Sequence, residues 1–160
     1  MPEPARGTQQ AWLQLALVAG VVIVLDQVSK ELLRSSLALG ASTTVIPGLL
    51  RIIRTTNSGV AFSALSGSVV LVTALALVVM ALLLAFFARF GLAQRLVSIP
   101  TGMVVGGALG NLVDRLRLGA VTDFIKLPHF PAFNLADSAI TVGVIALVLM
   151  IGRRGAEGST

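Results

Sequence analysis

The sequence predicts an all-α membrane protein: four transmembrane helices carrying a small β-sheet outside the lipid. Of its 160 residues, 56% are hydrophobic and 12% charged, a charged share about half that of a soluble domain. Four apolar segments follow one another with short polar connections, and one intervening stretch turns instead to branched residues around Pro47-Gly48. The length suits a single membrane domain over residues 1–160 with no separate soluble unit.

Composition also removes whole classes of chemistry. There is no cysteine, which excludes disulfides, thiol nucleophiles and thiolate metal sites. A single histidine, His129, cannot make a His-rich metal cluster; no metal and no organic cofactor is expected. The net charge of +5 is dispersed between apolar segments rather than gathered in a patch, which fits loops at a membrane surface and not nucleic-acid binding.

Residues 1–10 are polar, with Pro2, Pro4 and Gly7, and read as a disordered lead-in. The first transmembrane helix is expected over about 11–33. From Ala11 to Leu25 its one strongly polar residue is Gln14, and no small-residue cleavage pattern follows, so the segment is read as uncleaved. Asp26, Lys30 and Arg34 lie four apart on one stripe of it, either an ion pair anchoring the helix end or a brace for a nearby site. The segment over about 35–66 lies outside the lipid. Ser42-Thr43-Thr44-Val45-Ile46 and Leu49 to Thr56, flanking Pro47-Gly48, predict two short strands. The Asn57-Ser58-Gly59 that follows is, by itself, an ordinary turn.

The second helix, about 69–88, has Thr73 as its only polar side chain and the length needed to cross ~30 Å of hydrocarbon. The third, about 96–114, carries Gly102, Gly106 and Gly110 at four-residue spacing, a small-residue ridge that lets another helix approach. A second segment outside the lipid covers about 115–135, and the fourth helix about 136–152, before Arg153-Arg154 and a Gly/Ser tail. Four crossings put both termini on one side. By raw count of Lys and Arg the positive-inside rule favours the terminus-free side as cytoplasmic, but five of the seven acids share that side with its cations. Orientation therefore has to come from function.

Three of the seven acids, Asp114, Asp123 and Asp137, fall between the end of the third helix and the start of the fourth. Ionisable groups at membrane depth are costly and point to function. The chemistries left are a carboxylate pair, a Ser/Lys dyad, or no catalysis. Ser29 and Lys30 are neighbours that point about 100° apart on a helix, which disfavours the dyad. Two carboxylates within reach of one another cannot both ionise cheaply, so one keeps a proton and the other activates water against an amide carbonyl. Asn134-Leu135-Ala136-Asp137 is also what a capping box looks like, with Asp in the place of Glu. Asn111-Leu112-Val113-Asp114 repeats the spacing where capping cannot explain Asp114; Arg115, Arg117 or an external group is its expected partner. Asp123 can equally be a turn residue. Residue chemistry alone offers three aspartates without choosing two. It also leaves open a small ion or proton transporter using these carboxylates, and a noncatalytic membrane subunit.

Five blocks in order are more specific than any one of them. Asp26-Gln27-x-Ser29-Lys30, Asn57-x-Gly59-x-Ala61-Phe62-Ser63, Gly106-Gly107-Ala108-x-Gly110-Asn111-x-x-Asp114-Arg115, Gly119-x-Val121-x-Asp123-Phe124-Ile125 and Phe133-Asn134-x-Ala136-Asp137 together resemble the motif set of prokaryotic lipoprotein signal peptidases, the signal peptidase II family. The resemblance covers about residues 15–150. It implies four helices in the bacterial inner membrane with both termini cytoplasmic, and an extracytoplasmic sheet and a loop over the active site. It also implies an aspartyl endopeptidase that removes the signal peptide from a diacylglyceryl-modified prolipoprotein before the lipidated cysteine. By position it makes Asp123 and Asp137 the catalytic pair. Asn57, Gly59, Phe62, Asn111, Asp114, Arg115, Asn134 and Ala136 would line or brace the substrate cleft, with Asp26 and Lys30 in the first-helix motif. Membrane lipids and a globomycin-type inhibitor are the further partners implied; a monomer is the expected state. Val60 stands where many members have alanine, and the link between Asp123 and Asp137 is short, which points to a reduced substrate-retaining loop.

Overall fold

The computed structural model describes residues 6–58, 69–91 and 95–157. The first helix, α1 (Arg6–Ser36), already includes residues 6–10, which were expected to be disordered. No proline lies in that stretch, and Thr8-Gln9-Gln10 simply extend the strong helix-forming run behind them. At its other end the last carbonyls of α1 have no helical partners. Arg54 supplies them: its Nη1 donates to the carbonyls of Arg34 and Leu37, each at 2.9 Å, and its charge faces the negative end of the helix dipole.

Strands β1 (Ser42–Ile46) and β2 (Leu50–Asn57) form the hairpin expected around Pro47-Gly48, with Gly48 at φ 74° in the turn. A third strand, β3 (Val121–Lys126), completes an antiparallel sheet in the order β1-β2-β3. Asp123, a turn candidate from sequence, lies in the middle of that strand. Its neighbours Val121, Thr122, Phe124 and Ile125 suit a strand, but the pairing partner lies some seventy residues earlier in the chain (Asn57↔Val121, Thr55↔Asp123). The β2–β3 ladder is irregular between Ile52 and Thr55, where β2 carries one extra residue. Beyond it, residues directly opposite share a face, so Asn57 and Thr55 stand on the same side as Asp123.

The remaining helices are α2 (Val69–Phe86), continued by a turn of π-helix over Phe87–Gly91, α3 (Arg95–Leu118) and α4 (Leu135–Glu157). Helix α3 runs four residues past its expected end, until Gly119 at φ 74° turns the chain. Asp114 is thus inside a helix, and the second connecting segment begins near residue 119. Helix α4 also continues beyond residue 152, through the two arginines.

Helix α3 is the centre of the packing, in contact with both α1 and α4. The glycine ridge faces α1: a Cβ on Gly102 or Gly106 would lie 2.7 Å from the carbonyl oxygen of Leu15 or Ala19, and one on Gly110 would lie 2.7 Å from Asp26 Oδ2. At the end far from the sheet the helices close over an apolar cluster of Ala11, Leu15, Phe87, Val97, Val104 and Leu147, with the Trp12 ring edge-on to Phe87 at 5.0 Å. Gln14, the one strongly polar residue of the first apolar run, accepts a 2.9 Å hydrogen bond from Ser98 on α3. Elsewhere the burial pattern is inverted relative to a water-soluble protein. Asp26, Lys30, Thr101, Asn111, Asp114 and Asn134 are buried, while Leu13, Leu17, Val21, Val24 and Leu32 of α1 are exposed. By length and composition, α1 (from Gly7) and α3 (from Leu96) are apolar enough to cross a membrane, with shorter apolar stretches at Thr73–Arg89 and Leu135–Met150 among the described residues.

The packing predicts opposite outcomes for two glycine substitutions. Gly106→Ala forces α1 away from α3 and costs about 1–3 kcal/mol. At Gly20, nothing lies within 4 Å of an added Cβ, so Gly20→Ala leaves stability unchanged or raises it by up to about 1 kcal/mol. Thermal unfolding of both variants in the same detergent checks the difference in sign.

Candidate active site

At the sheet end of the bundle a lysine with no exposed surface is held by two buried carboxylates. Lys30 Nζ lies 2.8 Å from Asp26 Oδ2, 3.2 Å from Asp114 Oδ2 and 3.0 Å from Asn111 Oδ1. An ammonium has three donors and no acceptor, and all three are taken. Asp26 is not merely the lysine's partner: its Oδ1 accepts the backbone N–H of Ala136 at 3.0 Å, tying α1 to the first turn of α4. Asp114 is surrounded. It accepts the Thr122 N–H of β3 at 2.9 Å and the Gln27 side chain at 3.2 Å, and Arg34 Nη1 stands 3.6 Å away while also donating to Thr122 Oγ1. The expected anchor and the expected brace are therefore one structure. Of the partners expected for Asp114, the external one is found and not Arg115 or Arg117: the cations there are Lys30 and Arg34, brought from α1. Arg115 instead has its Nε buried without a hydrogen-bond partner among the described residues.

From this centre the orientations of two asparagine amides follow by elimination. Lys30 only donates, so Asn111 must turn Oδ1 toward it, and its Nδ2 then donates to Asp137 Oδ1 at 2.8 Å. Asn134 must turn Oδ1 toward the Asp137 backbone N–H, 2.9 Å away, and its Nδ2 then donates to Asp123 Oδ1 at 2.7 Å. Asn134 Nδ2 also lies 3.2 Å from Asn111 Oδ1, joining the two amides. Asn57, placed by the β2–β3 register, donates to the other oxygen of Asp123 at 3.0 Å.

Asp137 meets the capping expectation without excluding the catalytic one. Asn134 Oδ1 receives the Asp137 N–H while Asp137 Oδ2 receives the Asn134 N–H at 3.2 Å, a reciprocal capping box at the start of α4. The second oxygen of Asp137 is left for Asn111. Among the described residues Asp123 and Asp137 share no direct hydrogen bond; Asn134 spans them. Burial, which leaves Asp123 2% exposed, raises its pKa above the ordinary carboxylate value. The hydrogen bond from Asn57 opposes the rise, the negative charge of Asp137 adds to it, and Asn134 and Lys30 oppose it more weakly.

Of the residues expected at the site, Asp26, Lys30, Asn57, Asn111, Asp114, Asp123, Asn134, Ala136 and Asp137 converge here. Ala136 is fully buried, and its backbone is approached so closely by Gly107 of α3 that a Cβ there would strike the Ala136 carbonyl. Gly59 and Phe62, with Val60, lie outside the described residues. Gln27 and Thr122 were missed as site residues. Gln27 had a signal, a second polar side chain beside Asp26 in an apolar helix, whereas Thr122 had none before β3 was known. No group of three or more His, Asp or Glu side chains among the described residues is arranged to hold a metal ion.

A family model described as Signal peptidase (SPase) II matches residues 18–153. The chain is 40% identical to the lipoprotein signal peptidase of Pseudomonas paraeruginosa over 99% of this chain and 97% of that one. It is 43% identical to that of Geobacter metallireducens over 84% and 87%, and 40% identical to that of Lactiplantibacillus plantarum over 89% and 95%. Two solved structures, each described as a bacterial membrane enzyme obtained by the in meso method, superpose with TM-scores of 0.80 and 0.80 at 33% and 32% identity. They cover 86% and 89% of this chain and 91% and 90% of their own.

The buried centre makes a prediction independent of any activity. Lys30→Met leaves Asp26 and Asp114 facing each other without the ammonium, and the expected loss is about 3–5 kcal/mol of stability. Restoring neutrality with Asp26→Asn in the same chain should recover part of it. Chemical denaturation of the single and double variants measures both.

Proposed function

This chain belongs to the signal peptidase II family, and on that premise we propose that it is the membrane aspartyl endopeptidase that frees diacylglyceryl-modified prolipoproteins of their signal peptide. Membership decides for a peptidase over the transporter. The observation that carries the aspartyl mechanism is Asn134, which holds Asp123 through its side chain and Asp137 through its cap. Two carboxyls so placed have what is needed to activate water: each is held in orientation by neutral amide donors on both oxygens, with no cation paired to it among the described residues, and burial of Asp123 favours keeping one proton on the pair.

In this reading residues 1–160 form one domain whose four helices cross the inner membrane, with both termini cytoplasmic and the sheet at the extracytoplasmic face. The exposed leucines and valines of α1 support lipid contact. The charge count that favoured the reverse orientation loses its force once the cations are followed. Lys30 and Arg34 are neutralised by Asp26, Asp114 and Glu31, and Arg54 is spent on the end of α1. The acting partners are the lipidated precursor and membrane lipids, and a globomycin-type inhibitor is expected to compete for the cleft of a monomeric enzyme.

The substrate enters from the bilayer with its acyl chains in lipid and lays the backbone before the cysteine across Asp123 and Asp137. The pair, titrating as a unit, takes a proton from a water as that water adds to the scissile carbonyl, and returns one to the leaving amine as the C–N bond breaks. Asp114 has no part in proton transfer, since its oxygens are occupied by two cations and two neutral donors.

Two measurements test this proposal. Asp123→Asn and Asp137→Asn each lower cleavage of a diacylglyceryl-modified prolipoprotein by on the order of 10³-fold or more, while both chains still insert, because Asn keeps an acceptor oxygen in each place. Full processing by both variants rejects the pair. In the second, Asn57→Ala removes the hydrogen bond that stabilises ionised Asp123. The proton on the pair is then held more tightly, and the basic limb of the kcat profile, where the pair loses it, moves to higher pH. An unmoved or downward-shifted limb contradicts the role given to Asp123.

A further inference from the structure

Away from the aspartates, on the sheet, three strands place Thr44, Arg51 and Lys126 in one cross-strand row, with Arg51 directly opposite both of the others. Directly opposed residues project to the same side, and like charges in that relation repel. Neither cation has a carboxylate partner among the described residues. Lys126 Nζ donates to the Phe130 carbonyl at 2.6 Å, and Arg51 donates to Ser42 Oγ. The row borders a groove of about 230 Å³ closed by Gly48, Leu49, Leu127 and Pro128. Exposed apolar surface adjoins it: Leu49, which lines the groove, and Phe130, whose carbonyl holds Lys126, are each 55% exposed. A positive pair beside exposed hydrocarbon is matched by a ligand with an anionic head and an apolar body, and a soluble anion leaves the apolar side of the groove unexplained.

We propose that the groove between the β1–β2 turn and the segment after β3 binds the phosphodiester of an anionic phospholipid, with Arg51 and Lys126 on the phosphate and the acyl chains over Leu49, Leu127 and Pro128. The proposal goes beyond the peptidase reading. It shares with that reading the placement of the sheet at the membrane surface and makes no use of Asp123 or Asp137. Lipid bound there removes the cross-strand repulsion and fixes the sheet against the leaflet, three residues along β3 from Asp123.

The test uses the full chain in detergent micelles, offered equal amounts of dioleoylphosphatidylglycerol and dioleoylphosphatidylcholine, with bound lipid read by native mass spectrometry. The wild type is expected to retain phosphatidylglycerol in preference by on the order of tenfold. The preference falls to near parity in Arg51→Gln/Lys126→Gln and persists in Arg117→Gln, which removes an exposed cation from the end of α3. Thermal unfolding supplies a readout that misfolding cannot imitate. Without anionic lipid the double variant is at least as stable as the wild type, because the repulsion is gone, and phosphatidylglycerol raises the Tm of the wild type alone. Equal retention of the two lipids by the wild type, or a preference that survives the double substitution, overturns the proposal. Displacement of phosphatidylglycerol by low-millimolar inorganic phosphate makes the occupant a free anion and overturns the lipid assignment. Cleavage is measured separately in the same variants, so the lipid site and the peptidase reading stand or fall apart from each other.

Discussion

The constraint on which the site depends is that a buried ammonium must be surrounded by acceptors. Lys30 is enclosed by α1, α3 and the start of α4, and every acceptor it finds has a second duty: Asp26 holds the Ala136 N–H, Asp114 holds the Thr122 N–H, and Asn111 presents its amide nitrogen to Asp137. A charge with no route to water thereby sets the relative position of three elements and the polarity of the hydrogen-bond chain leading to both candidate catalytic acids. Removing a partner leaves an uncompensated charge, whose cost exceeds what the intact pair contributes. The arrangement is better understood as specifying one geometry than as a source of net stability.

Much of the architecture was legible in the sequence because lipid simplifies the code. Apolar runs of sufficient length declared the helices, the glycines at 102, 106 and 110 declared a close helix contact, and Pro47-Gly48 declared a hairpin. Boundaries were less legible. Nothing in residues 6–10 or 115–118 forbids a helix, and their state is settled by neighbours. Strand β3 was invisible because a short branched segment becomes a strand only when an edge is offered, and the edge comes from β2, far earlier in the chain.

The site was legible as a set of residues but not as a set of roles. Composition and spacing singled out three acids; what separates them is context that only packing supplies. Asp114 faces two cations, whereas Asp123 meets asparagine amides and Asp137 a side-chain amide and a backbone N–H. The Asn134 to Asp137 spacing supported a helix cap and a reactive carboxylate, and the geometry accommodates both, since a carboxylate has two oxygens. Asn57 could not be attached to Asp123 until the strand register placed it there.

The pairing of Asp26 with Lys30 inside a single helix also bears on biogenesis. As α1 leaves the ribosome, α3 and α4 have not yet been synthesised, and two isolated charges would oppose partition into the bilayer. One turn apart, with the acid on the N-terminal side, they neutralise each other locally, so the nascent segment can enter lipid as a nearly uncharged rod. The same pair is what Asn111, Asp114 and Ala136 of the later helices contact in the folded chain.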